Sequence, residues 1–536
     1  MEIHSTQKPI KYIAIAILVL GLILRFHNLG LHPYWHDEVY TSLQMGGHEY
    51  SIEHDTPVFK AKVQNKIITA QELDKFLYPN PASTIVDSVK LIAQNDSFES
   101  PLYYVLLRFW VDIFGNSIAV IRGFSALLGV AVSISIYWLS MELFRSKTTA
   151  WITLALVSVS PFHLIYSQEA RCLMLWMLTI ALSHIALLRA INQPKAINWI
   201  FYSVSLILAL YSFLFSVLVL AGHIVFLLVY DRFRLSKRVI NFLVSALFAL
   251  VCYCPWLISA VYFIFKFHIS MPLSYKSILK VPFWYLSRWL HNLGLVFADF
   301  NVGEISPKIH QILYALLLIA ILCMVIFAMR FFYQHSNKLS HIFLLSAIIV
   351  PFLPLFFKDL ISGGGYTQVI RYLSPCWIAI ELIVAYWLGN KIESKKTPRI
   401  IWQGILTLLI ILGLSSDILM TNSELWWNKL DANFFKQYAD QVISKAKHPL
   451  IVNDDSYIPS VISFSSMVDP NVRFFLFSEN GEIHIPKGES EVYLFRPSEK
   501  LVKKIQKNYT LEHVPLKDAY PGGGITSEHF YRVIIK

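Results

Sequence analysis

The sequence predicts a polytopic α-helical membrane protein carrying a small C-terminal α/β domain. Three observations carry that expectation. Hydrophobic residues make up 55% of the chain and charged residues only 15%; the mean hydropathy is +0.52; and apolar runs recur until about residue 419, where short β-rich runs take over. The net charge of +11 does not point to nucleic acid, because the basic residues gather in short clusters between apolar runs, as the positive-inside rule produces. Cys172, Cys252, Cys254, Cys323 and Cys376 all fall in apolar segments. No disulfide framework or zinc-spaced pair is therefore available in the polar parts, and Cys252-Tyr-Cys254 reads as small hydrophobes.

Residues 10 to 26 form an apolar stretch behind Lys8 and Lys11, and where a signal peptide would place small residues for cleavage stands Arg25-Phe26-His27. The stretch reads as a retained signal anchor with its lysines in the cytoplasm, which sends the polar segment 27 to 117 to the other side. Within that segment Pro101 to Gly115 is too short to span and carries Arg108 and Asp112 among aromatics, the composition of an interfacial helix.

Ten further apolar segments follow, at roughly 118 to 143, 149 to 166, 171 to 189, 197 to 211, 213 to 230, 239 to 264, 311 to 333, 340 to 357, 371 to 389 and 399 to 418. With the first they predict about 11 transmembrane helices, each supplying most of the ~20 residues a bilayer core needs. Basic residues mark every second connection: Arg145 and Lys147, Arg189 and Lys195, Arg232 to Arg238, Lys338, and Lys391 to Arg399. An odd span count puts the tail, 420 to 536, on the same extracytoplasmic side as segment 27 to 117. The division expected is a membrane domain over 1 to 419 and an α/β domain over 420 to 536. In that tail an amphipathic helix near Asp431 to Ala446 precedes strand-like runs at Pro449 to Val452, Val472 to Phe477, Glu491 to Phe495 and Phe530 to Ile535, with a helix at Glu499 to Lys507. Gly522-Gly-Gly524 reads as a turn.

Three polar clusters fall on the extracytoplasmic side. Trp35-His36-Asp37-Glu38 offers neighbouring carboxylates, which are either solvated loop charge or, desolvated near the membrane, groups suited to general-base work. Ser160 to Arg171 places His163, Tyr166, Gln168, Glu169 and Arg171 between two spans; an ion pair capping the hairpin and a functional site are both consistent with that spacing. Gly363-Gly-Gly365 followed by Arg371-Tyr372 suits either a flexible loop and a guanidinium over a phosphate or a snorkelling Arg beside a glycine turn. Glu53-His54-Asp55 has metal-ligand residue types, but adjacent side chains point apart, and a solvated loop is the expectation.

These motifs carry a resemblance. Trp35-His-Asp-Glu38, Ser100-Pro-Leu-Tyr-Tyr104 with Phe114-Gly115 and Arg122, Ser160-Pro-Phe-His163 running into Tyr166-Ser-Gln-Glu-Ala-Arg171, and Arg371-Tyr-Leu-Ser-Pro375 resemble the dolichyl-phosphate-mannose protein mannosyltransferase superfamily, which includes the bacterial aminoarabinose transferases. The likeness is strongest from about 20 to 190, returns near 371 and is faint in the tail. It implies a GT-C fold and an inverting transfer of a sugar from a polyprenyl-phosphate donor to an extracytoplasmic acceptor hydroxyl at a cell membrane. By that resemblance Asp37 is the base, Glu38 helps position a substrate, Arg171, Arg371 and Tyr372 hold the donor phosphate, and His36, His163, Tyr166, Gln168 and Glu169 line the substrate cavity. That resemblance makes no cofactor certain, and a divalent metal at the acidic pair is left open. Ser100 stands where aminoarabinose transferases have a basic residue, so their sugar does not carry over. The added lumenal domains of protein mannosyltransferases have no counterpart here, so a protein acceptor does not follow. A transporter or flippase of lipid-linked sugars is the rival reading; it would share the phosphate-binding groups but calls for inverted repeats and midplane sites.

Overall fold

The computed structural model describes residues 2–48, 65–267, 277–303, 306–361, 363–394, 398–454, 458–477, 485, 489–517 and 530–534. Among them eight helices have the length and apolarity to cross a membrane: Pro9–Phe26, Ile118–Phe144, Leu173–Asn192, Lys237–Phe263, Lys308–His335, Lys338–Ile361, Ile370–Glu393 and Arg399–Asn422. Lys147–Ser158 and Pro161–Ser167 form one further candidate, bent by 55°. Ala196–Ser212 and Ser216–Tyr230 are shorter apolar helices. Every apolar segment expected from sequence is thus helical, while three of them are broken or short rather than straight full-length spans. The bend has a local cause. Pro161 supplies no N–H and disfavours helical backbone at Ser160, so one helix stops at Ser158 and the next starts on the proline.

Packing sorts the helices into two layers. The apolar stretches of Leu173–Asn192 and Ile370–Glu393 are 83% buried and that of Lys308–His335 only 28%, so the first two form the interior and the last turns Leu313, Ile319, Ile326 and Phe327 outward.

The segment read as a polar loop holds helices of its own. His36–Gly46 begins directly after Trp35, with Asp37 and Glu38 in its first turn, and ends at Gly47, whose φ of 66° closes the helix in the left-handed region. Its last carbonyls are satisfied from outside: Met45 O accepts from Ser88 Oγ (3.1 Å) and Arg108 Nη1 (3.2 Å). Ala70–Asp74 and Ile85–Asn95 each open with a reciprocal capping box, Thr69 with Glu72 and Thr84 with Asp87. Leu102–Phe114 buries Tyr103, Tyr104, Leu107, Arg108 and Val111 and leaves Phe109, Ile113 and Phe114 exposed, the amphipathic helix the sequence predicts.

Among the described residues the tail contributes five strands to a six-stranded mixed sheet: β2 (Leu450–Asp454), β3 (Arg473–Phe477), β4 (Val492–Phe495), β5 (Thr510–His513) and β6 (Phe530–Ile534). β1 (Ile67–Thr69) comes from the first polar segment and pairs antiparallel with β3, Ile68 opposite Phe474. The order is β1-β3-β2-β4-β6-β5, with β2 central, fully buried and parallel to both neighbours. Helices Ala432–Gln441 and Glu499–Ile505 fall where the sequence places them, whereas Ile458–Ser465, β1 and β5 are additions. The Ile458–Ser465 helix packs on His36–Gly46, and Ser463 Oγ donates to Tyr34 O at 2.6 Å. Glu53-His54-Asp55 and Gly522-Gly-Gly524 lie outside the described residues.

Candidate active site

Glu38 is fully buried, which overturns the solvated-loop alternative for this carboxylate. Arg122, from Ile118–Phe144, grips it through Nε–Oε1 at 2.8 Å and Nη2–Oε2 at 2.7 Å. The rest of that guanidinium donates to the carbonyls of Leu29 (2.8 Å), His32 (3.0 Å) and Pro33 (2.9 Å), so all five of its N–H groups are engaged. Lys429 Nζ lies 3.1 Å from Glu38 Oε2, and Ala170 N–H donates to Oε1 at 2.9 Å. Burial pushes the Glu38 carboxyl up, but Arg122, Lys429 and these hydrogen bonds outweigh it and hold the pKa at about 2. Glu38 is therefore an ionised anchor with both oxygens occupied.

Asp37 differs. Its side chain keeps 14% exposure, next to Arg371 at 22% and His36 at 31%, so the charge cluster opens at this edge. Arg371 Nη1 is 3.0 Å from Oδ2, Arg171 Nε 3.9 Å from the same oxygen, and His36 Nε2 3.3 Å from Oδ1. Burial favours the neutral carboxyl, yet Arg171, Arg371 and His36 keep it well below the usual carboxylate range.

Each arginine is placed by its surroundings. Arg171 Nη2 pairs with Glu99 Oε1 at 2.6 Å, and Tyr104 donates to Glu99 Oε2 at 2.8 Å. Arg371 follows the glycine loop, which is not a free flap. Asp359 accepts from Tyr366 N (2.8 Å), Thr367 N (2.8 Å) and Thr367 Oγ1 (2.7 Å), while Gly363, Gly364 and Gly365 take φ values of 71°, 122° and 69° to make the turn. The Arg371 guanidinium sits 5.7 Å from the ring of Tyr372, and that ring packs on Phe213 and Phe215.

The other expected site residues divide. Glu169 joins the cluster: Oε2 accepts from Asn428 Nδ2 at 3.1 Å and lies 3.9 Å from Lys429 Nζ, Oε1 has no hydrogen-bond partner, and burial raises the pKa. Tyr166 is buried, edge-on to Phe162 and within electrostatic reach of Arg371 and Asp37. Gln168 instead pins the end of the first helix, donating to Leu24 O (2.8 Å) and His27 O (2.9 Å). His163 is directed into the bundle, 2.9 Å from Glu381 Oε2. Neither of these two reaches the carboxylate pair in the structure. Arg122, Glu99 and Lys429 are the participants sequence reasoning missed as site residues, although Arg122 lay within the motif. Among the described residues no three His, Cys, Asp or Glu side chains gather as a metal cradle, and the oxygens of Asp37 and Glu38 face cations.

The arrangement juxtaposes a carboxylate at an open edge with two guanidinium groups from separate elements. It can take a proton and steady a developing anion side by side. Residues 99–259 match the model of the dolichyl-phosphate-mannose-protein mannosyltransferase family. No curated protein matches the sequence. ArnT from Cupriavidus metallidurans bound to undecaprenyl phosphate is 12% identical over 97% of each chain with a TM-score of 0.54, and its apo state is 10% identical over the same shares with a TM-score of 0.51. AglB from Archaeoglobus fulgidus, in complex with an inhibitory peptide and a dolichol-phosphate, is 12% identical over 86% of this chain and 65% of its own, with a TM-score of 0.44. Residues 99–259 are thus similar to the dolichyl-phosphate-mannose-protein mannosyltransferase family, and the chain shares its fold with ArnT along nearly its whole length.

Proposed function

We propose that this chain is an integral-membrane glycosyltransferase that moves a sugar, with inversion, from a polyprenyl-phosphate-linked donor to a hydroxyl of an extracytoplasmic acceptor. The observation that carries the reading is Asp37, held ionised at the open edge of a buried charge cluster between Arg171 and Arg371. The bilayer supplies the donor, and the alternation of loop charges supports an active site and a tail on the extracytoplasmic side of a cell membrane.

In the reaction the acceptor oxygen attacks the anomeric carbon, its proton passes to Asp37, and the bond from that carbon to the phosphate oxygen breaks with its electron pair leaving on the phosphate. The donor phosphodiester carries one negative charge and the departing phosphate gains a second. Arginines therefore bind the transition state better than the ground state. Arg371 and Arg171 depress the basicity of Asp37 while they face it. A donor phosphate drawing off Arg371 would release that hold and raise the carboxylate's basicity as the acceptor arrives. Tyr372 and Tyr166 provide aromatic surface beside Arg371, His36 flanks the base, and Glu38 serves by fixing its neighbour.

The test is release of polyprenyl phosphate from polyprenyl-phosphate sugars by the purified protein in lipid, compared with Asp37→Asn. Donor cleavage that falls with Asp37→Asn supports the reading. Movement of intact donor between leaflets without cleavage supports a flippase and overturns it.

A further inference from the structure

We infer that the segment Trp426–Lys429 is a clasp from the C-terminal region that completes the site, with Lys429 a positioning residue that acts on Asp37 through Glu38. The inference deepens the proposed reaction and rests on it for its kinetic consequence.

Four consecutive side chains are each tied to a buried carboxylate, the last two to those of the charge cluster. The indole N–H groups of Trp426 and Trp427 donate to one oxygen, Asp299 Oδ2, at 2.9 and 2.7 Å. Asn428 donates to Glu169, and Lys429 Nζ sits between Glu38 Oε2 (3.1 Å) and Glu169 Oε2 (3.9 Å). Lys429 is 1% exposed. The backbone supplies an independent observation. Leu430, directly after the lysine, has φ 44° and ψ −123°, a conformation that a branched residue adopts only under constraint, and its side chain is 42% exposed. Burial of Leu430 itself does not compensate that strain; the contacts of the preceding four residues do.

Charge counting shows what the lysine accomplishes. Glu38 and Glu169 are two buried carboxylates, and Arg122 has no N–H left for Glu169. Without Lys429 one carboxylate must take a proton. Around this pair stand Arg122 from the Ile118–Phe144 helix, His32 and Tyr34 from the segment before His36–Gly46, and, further out, Asp37, Arg171 and Arg371. His32 is held down to about 3 by burial and by Lys429 and Arg122, so it is neutral beside the lysine. Lys429 thus adds to Arg122 in holding Glu38 ionised and neutralises the second carboxylate, Glu169, beside it, and that lock fixes the first helical turn from which Asp37 projects.

The experiment compares full-length wild type with Lys429→Arg, Lys429→Met and Lys429→Met/Glu169→Gln, reading polyprenyl-phosphate release from a polyprenyl-phosphate sugar across pH together with thermal midpoints. Lys429→Met should lose about 10²-fold in kcat, the scale of a misplaced catalytic group, with little change in donor KM, and the acid limb of its profile should move to higher pH because Glu169 and Glu38 both lose a cation that holds their pKa down. Lys429→Arg should retain most turnover. Adding Glu169→Gln removes one charge of each sign overall and should restore much of both turnover and midpoint. Wild-type turnover in Lys429→Met, or a lowered midpoint with an unmoved pH profile, would overturn the positioning role. If wild type itself consumes no donor, the proposed reaction fails, and the charge clasp is then decided by the thermal comparison alone: no recovery of the midpoint on adding Glu169→Gln overturns it.

Discussion

Removing one charge from Glu38 and one from Asp37 should break two different properties, although the residues are adjacent. Glu38→Gln leaves Arg122 and Lys429 facing a neutral amide in a site with no exposure. The Glu38 pKa of about 2, against 4.5 ordinarily, corresponds to about 3 kcal/mol of stability, in line with the ~3–5 kcal/mol that follows from stripping one partner from a buried ion pair. The sign follows from the direction. A depressed carboxylate stabilises the fold above its unfolded pKa, and that contribution fades as pH falls from 4.5 towards 2, so wild type should lose stability over this window and Glu38→Gln should lose less. Asp37→Asn, at a partly open edge where Arg171 retains Glu99, should leave the thermal midpoint close to wild type and lower turnover by about 10²- to 10⁴-fold, the usual worth of a general base. Thermal unfolding in a fixed detergent and donor turnover on monodisperse protein separate the two effects. Equal stability of Glu38→Gln and wild type would refute the anchor assignment, and near-wild-type transfer by Asp37→Asn would refute the base.

Arg371→Ala should weaken donor use more than Arg171→Ala, because Arg171 is also committed to Glu99, and Lys at 371 should rescue only in part for want of the bidentate fork; donor titration measures both. Since Arg371 lowers the Asp37 pKa, the same Arg371→Ala should move the acid limb of activity to higher pH. Asp359→Ala removes the acceptor for Tyr366 N, Thr367 N and Thr367 Oγ1, and should lower turnover through a displaced Arg371 while sparing far-UV helicity. A reporter that is active only in the cytoplasm should be silent when fused after residue 536, and activity there would refute the topology.

What the sequence discloses follows the range over which its signals act. Hydrophobic runs are local, and they located every apolar helix; Pro161, visible in the sequence, marks the place where one of them breaks. The strand-like runs of the tail became β2, β3, β4 and β6 for the same reason. The His36–Gly46 helix was hidden because its polar face looks like loop composition until Arg122, Lys429 and the Ile458–Ser465 helix cover it. The motif residues Asp37, Arg171 and Arg371 do converge, since a motif records chemistry directly. Glu38 and Gln168 lie in the same motifs yet bind main chain and buried cations, partners that spacing does not reveal. Lys429 had no signal of its own: one lysine in a tail looks like surface charge until its partner, hundreds of positions earlier, is known.

The pairing of β1 with β3 also constrains how such a protein is made. Ile68 meets Phe474 and Glu38 meets Lys429, so the beginning of the chain waits through the insertion of nearly every apolar helix before its partners are synthesised. Until then β1 has no neighbour at β3, and Glu38 has Arg122 but not the lysine. Contacts of such sequence separation form late, after the local helices that make them possible. A nascent chain could therefore be fully threaded through the bilayer and still be inert. Under the proposed function, catalytic competence would then arrive as the last act of biogenesis.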